Sequence, residues 1–212
     1  MKNRSVVMFN AVLLISGTTA VASLHAQMFL SPVSYSATPG SGITHGGQYD
    51  YFDDTGNQLT DGVYGSALWF ADLGKGAAYE WVAWIPVSPS ITFNFSGPTT
   101  VNKVTIGFNV GNGGVKLPNT VVIGGTSFDL NGDEVAYGSR GDLAFTGSWT
   151  GPSLTVDLVH DVGTSWIFVD EFAFQSVPEP TTCAVVTGTC LLTFAAWRRR
   201  ANRASTGTMQ QE

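Results

Sequence analysis

Along most of the chain, apolar and polar residues alternate with a period of two. Ser90-Ile91-Thr92-Phe93-Asn94-Phe95-Ser96 is one such run, and Leu154-Thr155-Val156-Asp157-Leu158 is another. Val104, Ile106, Phe108 and Val110 fall on one face of an extended segment. Side chains two apart share a face of a strand, so each run predicts a half-buried β-strand. Trp166 to Phe174 is apolar on both faces except at Asp170 and Glu171, as in a strand covered on both sides. Gly and Pro clusters punctuate these runs: Pro39-Gly40-Ser41-Gly42, Gly97-Pro98, Gly111-Asn112-Gly113-Gly114, Gly124-Gly125 and Gly151-Pro152. No stretch between Met28 and Gln175 shows a helical period, and no solenoid or propeller repeat is present. The expected fold is all-β, an antiparallel β-sandwich or jelly roll.

The two ends break this pattern. Met1–Ala26 has Lys2 and Arg4 at its start, an uncharged, mostly apolar middle and small residues at its end. This is the order of a secretory signal peptide, cut before Gln27 or, after Ala20-Val21-Ala22, before Ser23. Near the other end, Thr181–Trp197 is 17 residues without charge, followed by Arg198, Arg199, Arg200 and Arg203. As a helix it spans roughly 25 Å, near the lower limit for crossing a bilayer. A basic cluster after a span stays cytoplasmic. The predicted organisation is a signal peptide (1–26), an extracellular β-sandwich domain (27–176), a C-terminal segment with a transmembrane helix (177–203) and a cytoplasmic tail (204–212).

Charge narrows the function. Residues 27–176 hold four Lys/Arg against 14 Asp/Glu, a formal charge of −10. Such a domain repels phosphate backbones, which argues against nucleic-acid binding. Both cysteines, Cys183 and Cys190, lie in the apolar run, so the central domain has neither a disulfide framework nor a cysteine-based zinc site. Enzyme motifs are also missing. His45 and His160 have no His-x-x-x-His companion, and Gly147-Ser148-Trp149-Thr150-Gly151 does not place serine as a nucleophile elbow requires. A small hydrolase built on paired carboxylates is the least favoured class.

Val177-Pro178-Glu179-Pro180, the short span and Arg198-Arg199-Arg200 together resemble the PEP-CTERM sorting signal of Gram-negative bacteria. The resemblance implies recognition by an exosortase, a membrane-embedded sorting protease, with cleavage near the Pro-Glu-Pro motif. Passage through the inner membrane to the cell surface or the extracellular matrix would follow. The two prolines keep this stretch extended, as a protease groove requires. The implied function is a non-catalytic, structural component of the surface or of its exopolysaccharide; a carbohydrate-binding module is the alternative.

Within the domain, Leu59-Thr60-Asp61-Gly62, Trp69, Trp81-Val82-Ala83-Trp84, Ile91-Thr92-Phe93-Asn94-Phe95 and Trp166-Ile167-Phe168-Val169-Asp170-Glu171 resemble the discoidin or galactose-binding-like fold. That resemblance implies a structural Ca²⁺ between the Asp-Gly loop and the last strand. The matching positions are Asp61 and Glu171, with Ser66 a further oxygen donor and backbone carbonyls completing the shell. Asp50, Asp53 and Asp54 are further acidic loop residues. Asp129-Leu130-Asn131-Gly132-Asp133-Glu134 starts like an EF-hand loop but lacks its glycine and terminal glutamate, and reads as an acidic hairpin turn. Aromatic faces stack on pyranose rings, so Trp69, Tyr79, Trp81 and Trp84 are the candidate glycan-binding residues. Trp81 and Trp84 point to opposite sides of a regular strand, so at least one belongs to the core.

Overall fold

The computed structural model describes residues 27–44, 49–65, 68–69, 80–160, 165–176 and 193–194. The predicted signal peptide, the Val177–Pro180 motif and Arg198, Arg199 and Arg200 lie outside the described residues, as do most of the predicted span, Ser66 and Tyr79. Among the described residues no helix is long and apolar enough to cross a membrane.

Among the described residues ten strands follow in order: β1 (Met28–Leu30), β2 (Ser34–Ala37), β3 (Gly42–Thr44), β4 (Tyr49–Asp50), β5 (Val82–Trp84), β6 (Ser90–Val110), β7 (Thr120–Ile123), β8 (Thr126–Asp129), β9 (Ser139–Val159) and β10 (Ile167–Ser176). Strands β3 and β4 form a separate pair; the other eight make one antiparallel sheet.

Strands β6 and β9 each run for 21 residues. Straight, such a strand would be about 70 Å long, roughly twice the width of a 150-residue domain. Both must therefore bend. Their pairing slips between Asn94 and Thr99 and again between Val101 and Lys103. Gly97-Pro98 and Gly151-Pro152 sit at that bend. The sequence pattern predicts two strands broken at Gly97-Pro98; the structure has one strand kinked there. A proline donates no ladder hydrogen bond and a glycine packs no side chain, so the pair is tolerated where the ladder is already interrupted.

The bend folds the sheet over itself. One layer holds β2, the first half of β6, the second half of β9, then β7 and β8. The other holds the second half of β6 and the first half of β9, with β10 beside β6. Strands β5 and β1 pair with the start and end of β10. Phe93, from the first layer, packs on Phe172 and Phe174 of the second at centroid distances of 4.8 and 4.7 Å. The expected sandwich is thus formed, with Val104, Ile106, Phe108 and Val110 all in its core.

Strand β5 is covered on both sides. Val82 and Trp84 join the main core, whereas Trp81 and Ala83 join a smaller aromatic cluster with Tyr51, Val115 and Phe168. Trp81 and Trp84 do face opposite ways, but both are 0% exposed. Both are therefore core residues and not the glycan-binding residues that the sequence suggests.

Truncating Phe93 removes the ring that joins the two layers. Phe93→Ala is expected to cost about 3–5 kcal/mol in urea unfolding, against about 0.5 kcal/mol or less for Phe29→Ala on the exposed edge of β1.

Candidate functional site

Two loop systems carry the polar chemistry. The first is built on a break in β10. The pairing of β10 with β6 shifts between Val169 and Phe172, so that Val169 and Phe172, three apart, both reach the main core. The bulge leaves Asp170 and Glu171 side by side, and both are buried.

Asp170 is met by a set of donors. The Arg140 Nε and NH2 groups both donate to its carboxylate, the latter at 3.2 Å, and the Gly65 amide donates to Oδ2 at 2.7 Å. Arg140 also pairs with Asp142 at 2.8 Å and lies 4.9 Å from the centre of the Tyr64 ring. Burial pushes the Asp170 carboxyl up against the pull of Arg140 and Gly65. Burial alone would lower the Arg140 guanidinium, but its two carboxylate partners raise it instead. Gly107 lies directly beneath this ion pair, where a Cβ would strike Asp170 and Arg140.

Glu171 has less support. Its Oε2 accepts one hydrogen bond, from Gly62 N at 3.2 Å. Burial pushes its carboxyl up to about 8, the Gly62 amide works against that, and the charges of Asp61 and Asp170 add to it. Asp61 is exposed, and its Oδ1 accepts from Val63 N at 2.8 Å. The loop from Asp61 to Gly65 therefore lies over Glu171 and Asp170, held by the Gly62 and Gly65 amides. Among the described residues, each carboxylate keeps one oxygen without a donor. Among the described residues no three His, Cys, Asp or Glu side chains come together as a metal cluster. Asp61 and Glu171 fit a Ca²⁺ only with backbone carbonyls in the shell.

Asp53 and Glu134 turn carboxylate oxygens onto the backbone of their own loops. Asp53 Oδ1 accepts from the amides of Thr55, Gly56 and Gln58, and its Oδ2 accepts from the Tyr35 hydroxyl. Asn131 and Gly132 donate to Glu134, and Asp133 N donates to Asn131 Oδ1. The Asp129–Glu134 segment is thus an acidic turn. It joins β8 to β9 and is not a hairpin, because β8 pairs with β7 and not with β9.

The second loop system forms a cleft of about 490 Å³ between residues 110–116 and 132–137. Its walls are pinned to the sheet. Gly111 bridges Val115, which bridges Trp166. Trp166 N donates to Gly114 O, Lys116 N to Trp166 O, and Gly138 N to Val110 O, all within 2.8–2.9 Å. Trp69 backs this turn: it is half-buried, packs on Phe168 at 5.6 Å, and its indole N–H donates to Asn112 O at 2.9 Å. Gly113 has φ +76°, and a Cβ there would lie 2.7 Å from the Trp69 ring. Glycine is thus required on two counts.

Tyr137 stands at the mouth of the cleft, 71% exposed, and its hydroxyl donates to Asn112 Oδ1. An aromatic ring in water but held at its tip is the geometry of a stacking platform. Exposed Lys116 and Asp133 complete the polar lining. Of the predicted aromatics within the described residues, Trp69 backs the turn directly and Trp81 lies in the cluster beneath it. Sequence reading missed Tyr137 because it lies in a turn segment with no period. Its one signal is an aromatic residue set between Ala136 and Gly138 where a solvated turn favours polar residues.

No protein-family model matches the chain, and no curated protein does. Solved structures with a similar fold include the CBM32 of AlyQ in complex with 4,5-unsaturated mannuronic acid (13% identity, TM-score 0.43, covering 69% of this chain and 97% of that one). The family 32 CBM from C. perfringens NanJ in complex with galactose is another (11% identity, TM-score 0.42, 71% and 100%). A third is from the Streptococcus pneumoniae β-galactosidase BgaA (10% identity, TM-score 0.45, 69% and 97%).

Glu171 sets a pH dependence with a definite sign. Its folded-state value lies above the usual carboxylate value, so the folded state binds more protons between about 4.5 and 8. In EDTA, stability should fall as pH rises through that window. Glu171→Gln should flatten the fall, as read from melting temperature against pH.

Proposed function

We propose that residues 27–176 form a non-catalytic carbohydrate-binding domain whose ligand sits in the cleft between residues 110–116 and 132–137. The observation that carries this reading is Tyr137: a solvent-exposed ring, fixed through its hydroxyl to Asn112, over a cleft whose backbone is tied to the sheet. The ring offers a face to a pyranose. Asn112, Lys116 and Asp133 offer donors and acceptors to its hydroxyls. A preformed site loses little order on binding, which suits a ligand as flexible as a glycan.

The chain's ends supply the setting. In this proposal the signal peptide exports the chain. The Val177–Pro180 motif, the span 181–197 and the Arg198–Arg200 cluster then hand it to an exosortase-type protease, which leaves the domain at the cell surface or in its exopolysaccharide. Binding glycan there would hold the protein in the matrix, so the structural and the carbohydrate-binding readings describe one protein. Ca²⁺, in the same proposal, bridges Asp61 and Glu171. It would offset the negative charge that burial makes costly at Glu171 and stiffen the loop against β10.

Glycan-array binding followed by calorimetry tests the cleft. Tyr137→Ala should weaken the strongest ligand by about thirtyfold, the scale of a central aromatic contact, while leaving the melting temperature unchanged. Unaltered affinity would remove the cleft from the function. Millimolar Ca²⁺ should raise the melting temperature of the wild type over EDTA by several degrees, at roughly 2–4 °C per kcal/mol, and Glu171→Gln should lose most of that rise. A melt indifferent to Ca²⁺ contradicts the metal. Intact-mass spectrometry of the native protein should find a form beginning near Gln27 and ending near Val177–Pro180. A form retaining Thr181–Glu212 contradicts the sorting step.

A further inference from the structure

A second depression, of about 240 Å³, adjoins the Tyr137 cleft. The two share Val110, Lys116 and Gly132 as a common wall. The second has an apolar floor of Leu117, Pro118 and Leu130, of which Leu117 is buried to 7% exposure and Leu130 is partly buried. Its rim carries Asn119, whose backbone is fully engaged: Asn119 N donates to Val159 O at 2.9 Å, and Leu130 N donates to Asn119 O at 2.8 Å. The amide side chain is exposed and makes no hydrogen bond to another of the described residues. Asn131 closes the other side and is itself held by the turn, its Oδ1 accepting from Asp133 N. An apolar floor with a free amide on a fixed backbone matches a sugar ring, which presents an apolar face and an equatorial rim of hydroxyls. Lys116, on the shared wall, reaches both depressions.

We infer that the site has two subsites and binds a glycan chain of at least two residues, one ring on Tyr137 and the next over Leu117 and Pro118 against Asn119, with Lys116 between them. The inference rests on the carbohydrate-binding reading above and deepens it. The two bound rings contribute unequally. The Tyr137 subsite, with a stacking face, holds the ring that gives most of the affinity. The Asn119 subsite selects for a continuing chain over a lone sugar.

The test is calorimetry of the intact domain with glucose, galactose, N-acetylglucosamine and a uronic acid, each as the free sugar and as its β-linked oligomers of two to four units. In the series that binds, the disaccharide should exceed the monosaccharide by about tenfold, and further units should add little. Asn119→Ala should remove about three- to tenfold from the oligomers, the worth of one or two neutral hydrogen bonds, and leave the monosaccharide unchanged. Asn119→Trp, which fills the depression, should reduce the oligomers to monosaccharide affinity. Affinity independent of length, or a length gain that survives both Asn119 variants, overturns the second subsite; if Tyr137→Ala still weakens binding by about thirtyfold, the carbohydrate-binding reading stands. Binding by no series at any length overturns both.

Discussion

A fully buried carboxylate must be matched by donors, and here that carboxylate is Asp170. It lies in the bulge of β10, and the groups that meet it come from far apart in the chain: Arg140 at the start of β9 and the Gly65 amide from the Asp-Gly loop. Removing one partner of a buried ion pair typically costs about 3–5 kcal/mol, because the other charge is left without compensation. That constraint fixes three things together. It holds the loop over Glu171, holds β9 against the far side of β6, and requires a residue without a side chain at position 107. Arg140 follows directly on the turn that carries Tyr137, so the anchor of the buried network also sets the edge of the cleft.

The rigidity of the cleft has a second source. The aromatic cluster of Tyr51, Trp81 and Phe168, with Trp69 and Trp166 packed against it, lies under the turn from Gly111 to Val115. Trp69 and Trp81, which sequence alone offers as sugar-binding residues, are used instead to support the wall of the cleft. Their large apolar faces contribute more when removed from water than when displayed to it. Tyr137, 71% exposed, is the ring that the cleft presents to water.

The strands and their inward faces were legible because period-two alternation is a property of the chain itself: Ile91, Phe93, Val104, Ile106 and Phe108 are all buried as their spacing requires. The opposition of Trp81 and Trp84 was legible for the same reason. Asp61 and Glu171 were linked only through a resemblance; in the structure it is the Gly62 amide that meets the Glu171 carboxylate. Three features were not legible. The continuity of β6 through Gly97-Pro98 depends on a neighbouring strand bending in step. The bulge at Asp170-Glu171 is decided by what packs on each side of β10. Tyr137 lies in a loop, where no periodicity records which side faces water, so its role follows only from the position of Asn112, 25 residues away.

The central claim is that the ligand occupies the cleft beneath Tyr137. The most direct measurement is a ¹H–¹⁵N NMR titration of the domain with the oligosaccharide that binds best on an array. The account predicts that the amides of residues 111–116 and 131–138 shift together and saturate, while those around the separate depression at Tyr35, Phe52 and Asp53 stay still. Saturating shifts centred on Tyr35 and Asp53, with residues 111–138 unmoved, would contradict it.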